Sequence, residues 1–329
     1  MKKVLFATTA LVATAGVAAA DVTLTGSAEM GIVGGNGTNT VFHQDLDVTF
    51  TMSGTTDNGL TFGASVDLDE SDDDGGATGS GAFAPEDDGG ATVFISGNFG
   101  TLTMGDTDGA LDWALTEAGN VANPGSIADD ETSHLAYLGS YGDGYGDGQI
   151  LRYDNTFGDF GVAVSVEQTD EGGETGYAVG LRYGIAITGG EIDLGAGFQR
   201  SYTRAVGAVE FGNTNINIAN GIEVEIIGVS ATVMLDSGFS GGLTYSTWDF
   251  NGGVGEVDHV SIGLGYETGP FAIHANYGEY SSNTFAALDG FDGFGMAARY
   301  DLGGGAGIHL GYNDNPTGAN WSLGVAMSF

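Results

Sequence analysis

From Val22 onward, apolar residues recur at every second position in short runs. In the first run Val22, Leu24, Ala28, Met30 and Ile32 share one face, and Thr23, Thr25, Ser27 and Glu29 share the other. In the second, Phe42, Leu46, Val48, Phe50 and Met52 oppose His43, Asp45, Asp47, Thr49 and Thr51. In the third, Leu60, Phe62, Ala64, Val66 and Leu68 oppose Thr61, Ser65, Asp67 and Asp69. A period of two is the signature of strands with one apolar face. The pattern continues through 91–97, 101–105, 149–154, 160–167, 176–183 and 191–199. It is obscure over 200–226, where Arg200–Asn220 reads as a loop and a strand begins near Ile226. It then resumes at 240–248, 258–266, 271–278, 294–300, 306–312 and 320–329. These runs predict sixteen strands, an even number as a single-chain bacterial membrane barrel requires.

The connections alternate. Short turns rich in Gly, Asp and Asn lie at 53–59, 97–100, 154–159, 236–239, 267–270 and 301–305. Long acidic connections lie at 69–90, 106–148, 200–221, 249–257 and 279–290. Aromatic pairs bracket short turns on the apolar face: Phe50 with Phe62, Tyr153 with Phe160, Tyr266 with Phe271. The chain ends on Trp321, Leu323, Val325, Met327 and Phe329, alternating with Asn320, Ser322, Gly324, Ala326 and Ser328. An apolar last strand ending on Phe329 suits a barrel that must pair its final strand with its first in lipid. The expected fold is therefore all-β, a transmembrane antiparallel barrel of sixteen strands with aromatic girdles.

Composition sharpens this. Lys2 and Lys3, the apolar run Val4–Ala15 and Ala18-Ala19-Ala20 predict a cleaved signal peptide over 1–20, with the barrel over 21–329. Its loss takes the formal net charge from −37 to −39, with five arginines left against 44 acids. Such a chain will not bind nucleic acid, whose phosphates require a basic face. There is no cysteine, so no disulfide or thiol chemistry. No nucleophile elbow, zinc-helix motif or phosphate loop is present, and no enzyme activity is expected. Inward positions such as Gly180, Gly195, Gly197, Ser230, Thr232, Gly263 and Gly265 fill little volume. That predicts a water-filled lumen.

Several stretches resemble the general porins of Rhodobacter-type alphaproteobacteria. Phe50–Ala64, reading FTMSGTTDNGLTFGA, looks like their second hairpin. Val93–Asp106, reading VFISGNFGTLTMGD, looks like the strand pair before their third loop. Arg152-Tyr153-Asp154 looks like the strand after it, and Phe329 fits their C-terminus. The resemblance implies a homotrimer of sixteen-stranded barrels in the outer membrane, among its lipid and lipopolysaccharide. In that family the third loop folds into the lumen and small hydrophilic solutes diffuse through. Related porins carry basic residues on the early strands facing this loop. Here those positions are Glu29, Asp45, Asp47, Asp67 and Asp69, so the chain departs from its family there.

The interval Asp106–Gly148 holds Asp106, Asp108, Asp112, Glu117, Asp129, Asp130 and Glu131. It reads either as a carboxylate-edged constriction loop, the functional reading of a long loop, or as a solvated external one. With Asp45, Asp47 and Asp67 it makes the acidic side of the expected constriction. Arg152, Arg182 and Arg299 fall on polar faces, where lipid is avoided. They either form the basic side or neutralise wall acids. With so few cations, a cation-selective channel is expected; a plugged adhesin-like barrel is the alternative. His43, His259, His274 and His309 read as inward and show no metal spacing. No cofactor is expected. The oxygen-rich runs Asp67–Asp74 and Gly142–Gly148 offer Ca²⁺ or Mg²⁺ donors without matching an EF-hand.

Overall fold

The computed structural model describes residues 21–35, 37–69, 88–138, 141, 149–168, 174–203, 209–211, 214–216, 218–219 and 221–329. The predicted signal peptide, Glu70–Asp74, Gly142–Gly148 and Arg204 lie outside the described residues. The strands are β1 (Asp21–Gly35), β2 (Thr38–Thr55), β3 (Thr61–Asp69), β4 (Asp88–Gly97), β5 (Gly100–Gly105) and β6 (Ile150–Phe157). There follow β7 (Phe160–Gln168), β8 (Thr175–Ile187), β9 (Gly190–Tyr202), β10 (Val209–Phe211), β11 (Thr214–Ile216) and β12 (Glu223–Leu235). The last are β13 (Phe239–Phe250), β14 (Gly255–Thr268), β15 (Phe271–Ser281), β16 (Phe291–Gly303), β17 (Ala306–Asn315) and β18 (Gly318–Ser328). Sixteen of these close into one antiparallel barrel, each pairing with its neighbour in sequence, while β10 and β11 form a separate hairpin.

Closure joins β18 to β1, with Met30 opposite Val325 and Ile32 opposite Leu323. At the short-turn end the Phe329 amide donates to the Gly26 carbonyl at 2.8 Å. Pairing the last strand with the first removes the edge that lipid could not solvate. Outward positions stay exposed although apolar, as at Leu264, Ile273, Leu310 and Leu323, because they face hydrocarbon rather than a core. Aromatic pairs mark the short-turn end, Phe239 with Tyr266 (4.3 Å between ring centres) and Phe271 with Tyr300 (4.9 Å).

Three expectations need correction. Strands run longer than the periodic segments, β2 reaching 18 residues, because polar strand ends continue beyond the apolar band. A turn at 187–190 joins β8 to β9 that the sequence reading lacked. The supposed loop from Arg200 begins as strand: Arg200 pairs with Glu225 at 2.7 Å and Glu223 at 3.3 Å, and β12 starts three residues before Ile226. That stretch alternates acids and a cation on its outer face, which hid its period from a hydrophobic count.

Candidate functional site

The connection after β5 does not rise away from the barrel. Its first turn, α1 (Ala110–Ala114), lies against β7, β8 and β9, and a 3₁₀ turn at Ala118–Asn120 reaches β13, β14 and β15. Inward hydroxyls take up amides at the starts of these two turns and between them, where no backbone partner precedes. Ala110 N–H donates to Ser165 Oγ (2.8 Å), Thr116 N–H to Ser230 Oγ (3.0 Å) and Ala118 N–H to Thr244 Oγ1 (3.0 Å). Farther on, His274 Nδ1 meets the Val121 carbonyl at 3.0 Å and His309 Nδ1 the Gly125 carbonyl at 2.9 Å. Ile127 ends this outbound run between Gly31 and Gly324, where β1 meets β18.

The chain then reverses. Ala122 and Asp129 both take positive φ (48° and 46°), a conformation non-glycine residues rarely adopt, and the return run doubles back along the same strands. Asn313 donates to the Asp130 carbonyl at 2.5 Å, Asn276 to that of Glu131 at 3.0 Å, and His259 bonds the Ala136 carbonyl. Above α1 and this run lies an apolar core of Leu138, Tyr141, Ile226, Trp248, Phe250 and Tyr280. The loop therefore fills one sector of the lumen, over β7–β9 and β12–β18. Three of the four histidines read as inward, His259, His274 and His309, are its pins. A hydrophobic period reports which face a residue occupies and cannot report what covers that face.

The opposite sector stays open. On β1–β6 the inward side chains include Thr23, Thr25, Thr49, Thr51, Ser65 and Thr103, and none of these is buried. Above the hydroxyls stand Glu29, Asp45, Asp47 and Asp67; Ser27 donates to Asp47 at 2.7 Å and Thr49 to Asp67 at 2.9 Å. A slot is left between this wall and the loop.

The predicted site residues separate into groups. Arg152 and Arg182 come together at the root of the loop. Arg152 donates to the Asp108 carbonyl (2.7 Å) and contacts the carboxylates of Asp108 (3.6 Å) and Asp154 (3.3 Å). Arg182 stacks on the Trp113 indole, 4.2 Å from the ring centre. Arg299 is not with them: it lies near the short-turn end of β16, 3.6 Å from Glu267, beside His309 across the β16–β17 ladder. Trp113 was missed, since nothing in its local sequence separates it from any loop aromatic.

The seven loop acids divide by exposure. Asp106, Asp108 and Asp129 face water, whereas Glu117, Asp130 and Glu131 are only 7%, 6% and 2% exposed. Burial raises the last three carboxyls above the ordinary range, Glu117 well above it. Each keeps one buried oxygen without a partner among the described residues, as a neutral acid tolerates and a carboxylate does not. Half-buried Asp112 is pushed up to about 7, by burial first and then by Asp108, against the pull of Arg152 and Arg182. So the loop's edge carries fewer charges than its composition suggests. Among the described residues no group of His, Asp and Glu is arranged to hold a metal ion.

A family model for Gram-negative porins matches residues 7–320. A porin of Rhodobacter capsulatus is 30% identical over 310 residues, covering 90% of this chain and 94% of that one. A solved porin structure superposes with a TM-score of 0.69 at 25% identity, covering 94% of this chain and all of the other. A mutant Rhodopseudomonas blastica porin, at 17% identity and the same coverage, gives 0.61.

Proposed function

The chain belongs to the Gram-negative porin family and is an outer-membrane channel; from that premise we propose that it passes small hydrophilic solutes with a preference for cations, as a trimer of identical barrels. The observation that carries the first part is the uncovered wall. Hydroxyl and carboxylate side chains of β1–β6 remain open to water although the loop fills the rest of the lumen. A barrel plugged for adhesion would bury this wall as it buries Ser246 and Asn313 opposite.

Selectivity follows from the charges along the slot. Glu29, Asp45, Asp47 and Asp67 stand on one side with Asp106, which bonds Ala91 of β4, and Asp108 and Asp129 stand on the loop. Among the described residues only Arg152 and Arg182 oppose them, and Arg152 already has two carboxylate partners. A low-dielectric wall focuses that field into the channel. The test is the zero-current potential across a salt gradient, with purified protein in a planar bilayer. A potential of cation-selective sign is expected, and anion-selective sign would overturn the reading.

For the trimer, the outer surface supplies the argument. Outward positions of β12–β17 carry eight carboxylates near the long-loop end, among them Glu225, Asp249, Asp258, Glu279 and Asp292. Outward positions of β1–β3, β5–β8 and β18 carry no charged side chain. Copies of so acidic a chain meet at lowest cost through the uncharged half. Light scattering of the detergent-solubilised protein should give three chains per particle.

A further inference from the structure

We propose that glycines on the inner wall, by fixing how deep the loop sits, set the size limit for permeating solutes. This rests on the channel reading above and adds the residues that determine its bore. Glycine weakens a strand interior and is otherwise found where another backbone comes close. Carbonyl oxygens of Ala110, Ala114 and Ala118, at every fourth residue of the outbound run, lie directly over Gly180 on β8, Gly195 on β9 and Gly263 on β14. On the return run the carbonyls of Glu131 and Ala136 lie over Gly295 on β16 and Gly278 on β15. A methyl group on any of these five α-carbons would overlap the loop's backbone.

The seats occur beside the pins. The Glu131 carbonyl that covers Gly295 also accepts from Asn276, and the Ala136 carbonyl over Gly278 is bonded by His259. Ala118, whose carbonyl covers Gly263, donates its N–H to Thr244. The loop is thus drawn onto the wall by polar side chains and stopped by the strand backbone itself. With the sheet behind it, a loop lifted from a seat can move only into the channel. The glycines first read as open lumen are therefore occupied, and the space they save appears across the loop as channel width.

The experiment compares Gly263→Val and Gly295→Val with Gly241→Val. Gly241 faces outward, and a Cβ there has its nearest neighbour at an ordinary 3.4 Å, from Leu264. All three introduce the same strand-favouring side chain, so a general effect on the sheet would be shared. Proteins that form heat-resistant barrels are reconstituted for single-channel conductance and for liposome swelling with sugars of increasing size. If a valine variant does not assemble, the alanine variant at that position is measured instead, since its Cβ alone meets the loop carbonyl. The expected result is a roughly two-fold or larger drop in conductance at Gly263 and Gly295, with the largest permeating sugar lost first, and no change at Gly241. Wild-type conductance and sieving in assembled Gly263 and Gly295 variants would overturn the inference and leave the channel reading intact. Absence of conductance in the unaltered protein would instead remove the channel reading.

Discussion

Asp112 titrates where the channel works. Burial and Asp108 lift its carboxyl to about 7 while Arg152 and Arg182 oppose them. Below that pH it is neutral and the two guanidinium groups at the loop root are less compensated. Above it, a further negative charge faces the same groups. Cation preference should therefore rise as pH increases through about 7, and Asp112→Asn should reduce the step. Zero-current potentials between mildly acidic and mildly alkaline buffer read this directly; an equal step in the Asn variant would assign it elsewhere. Single residues were legible in the sequence only by face. Arg152, Arg182 and Arg299 were all correctly sent inward, because a guanidinium in lipid costs about 2–4 kcal/mol near the midplane. Depth along the barrel was not legible, since period two is the same at every level of a strand. Arg299 consequently joined a constriction from which the structure separates it.

Among the elements, the sixteen barrel strands were legible because each must keep an apolar face toward lipid. Even Trp321–Phe329 was, where five outward apolar residues outweigh any local turn signal. The β10–β11 hairpin and the two runs of the loop were not, because nothing periodic directs a segment held by side chains from distant strands. Those side chains make the loop's docking testable. Replacing His259 with Leu keeps the volume and removes the bond to the Ala136 carbonyl, leaving a buried acceptor unpaired at a cost of about 1–3 kcal/mol. The barrel should stay heat-resistant while open-channel current noise rises, as the return run detaches more often. Quiet, wild-type currents would mean that the apolar core around Trp248 and Tyr141 holds the run unaided. At the barrel seam, Phe329→Asp should lower the yield of assembled protein in the membrane. It exchanges an apolar side chain worth about 2 kcal/mol on leaving water for a charge, at the residue whose backbone bonds Gly26. The same change at Phe285, in the β15–β16 connection, serves as control, and equal yields would remove the special role of the chain end.

At the scale of the molecule, the formal charge of −37 overstates what an ion meets in the channel. Eight carboxylates point outward on β12–β17, where the barrel wall separates them from the lumen. Glu117, Asp130 and Glu131 are buried within the loop, where the charged form is disfavoured. What remains at the slot is a short column of acids near the long-loop end, above a hydroxyl-lined stretch on β1–β5 whose one acid, Asp21, stands at its far end. Selectivity then arises over a limited depth and depends on the reach of those few charges. That reach is the Debye length, about 10 Å at 0.1 M salt and about 3 Å at 1 M. At the lower concentration the fields of Glu29, Asp45, Asp47 and Asp67 overlap those of Asp108 and Asp129 across the slot. At the higher one each acts only on ions that touch it. Cation preference should therefore be pronounced at low salt and fade toward that of bulk solution near 1 M. Neutralising wall acids in pairs, as in Asp45→Asn with Asp47→Asn, should weaken it at low salt and change little at high salt. Zero-current potentials measured at fixed gradient ratio over rising mean concentration test both statements. A preference that persists undiminished at 1 M would mean that ions pass in direct contact with the carboxylates, and that the slot is narrower than a hydrated ion.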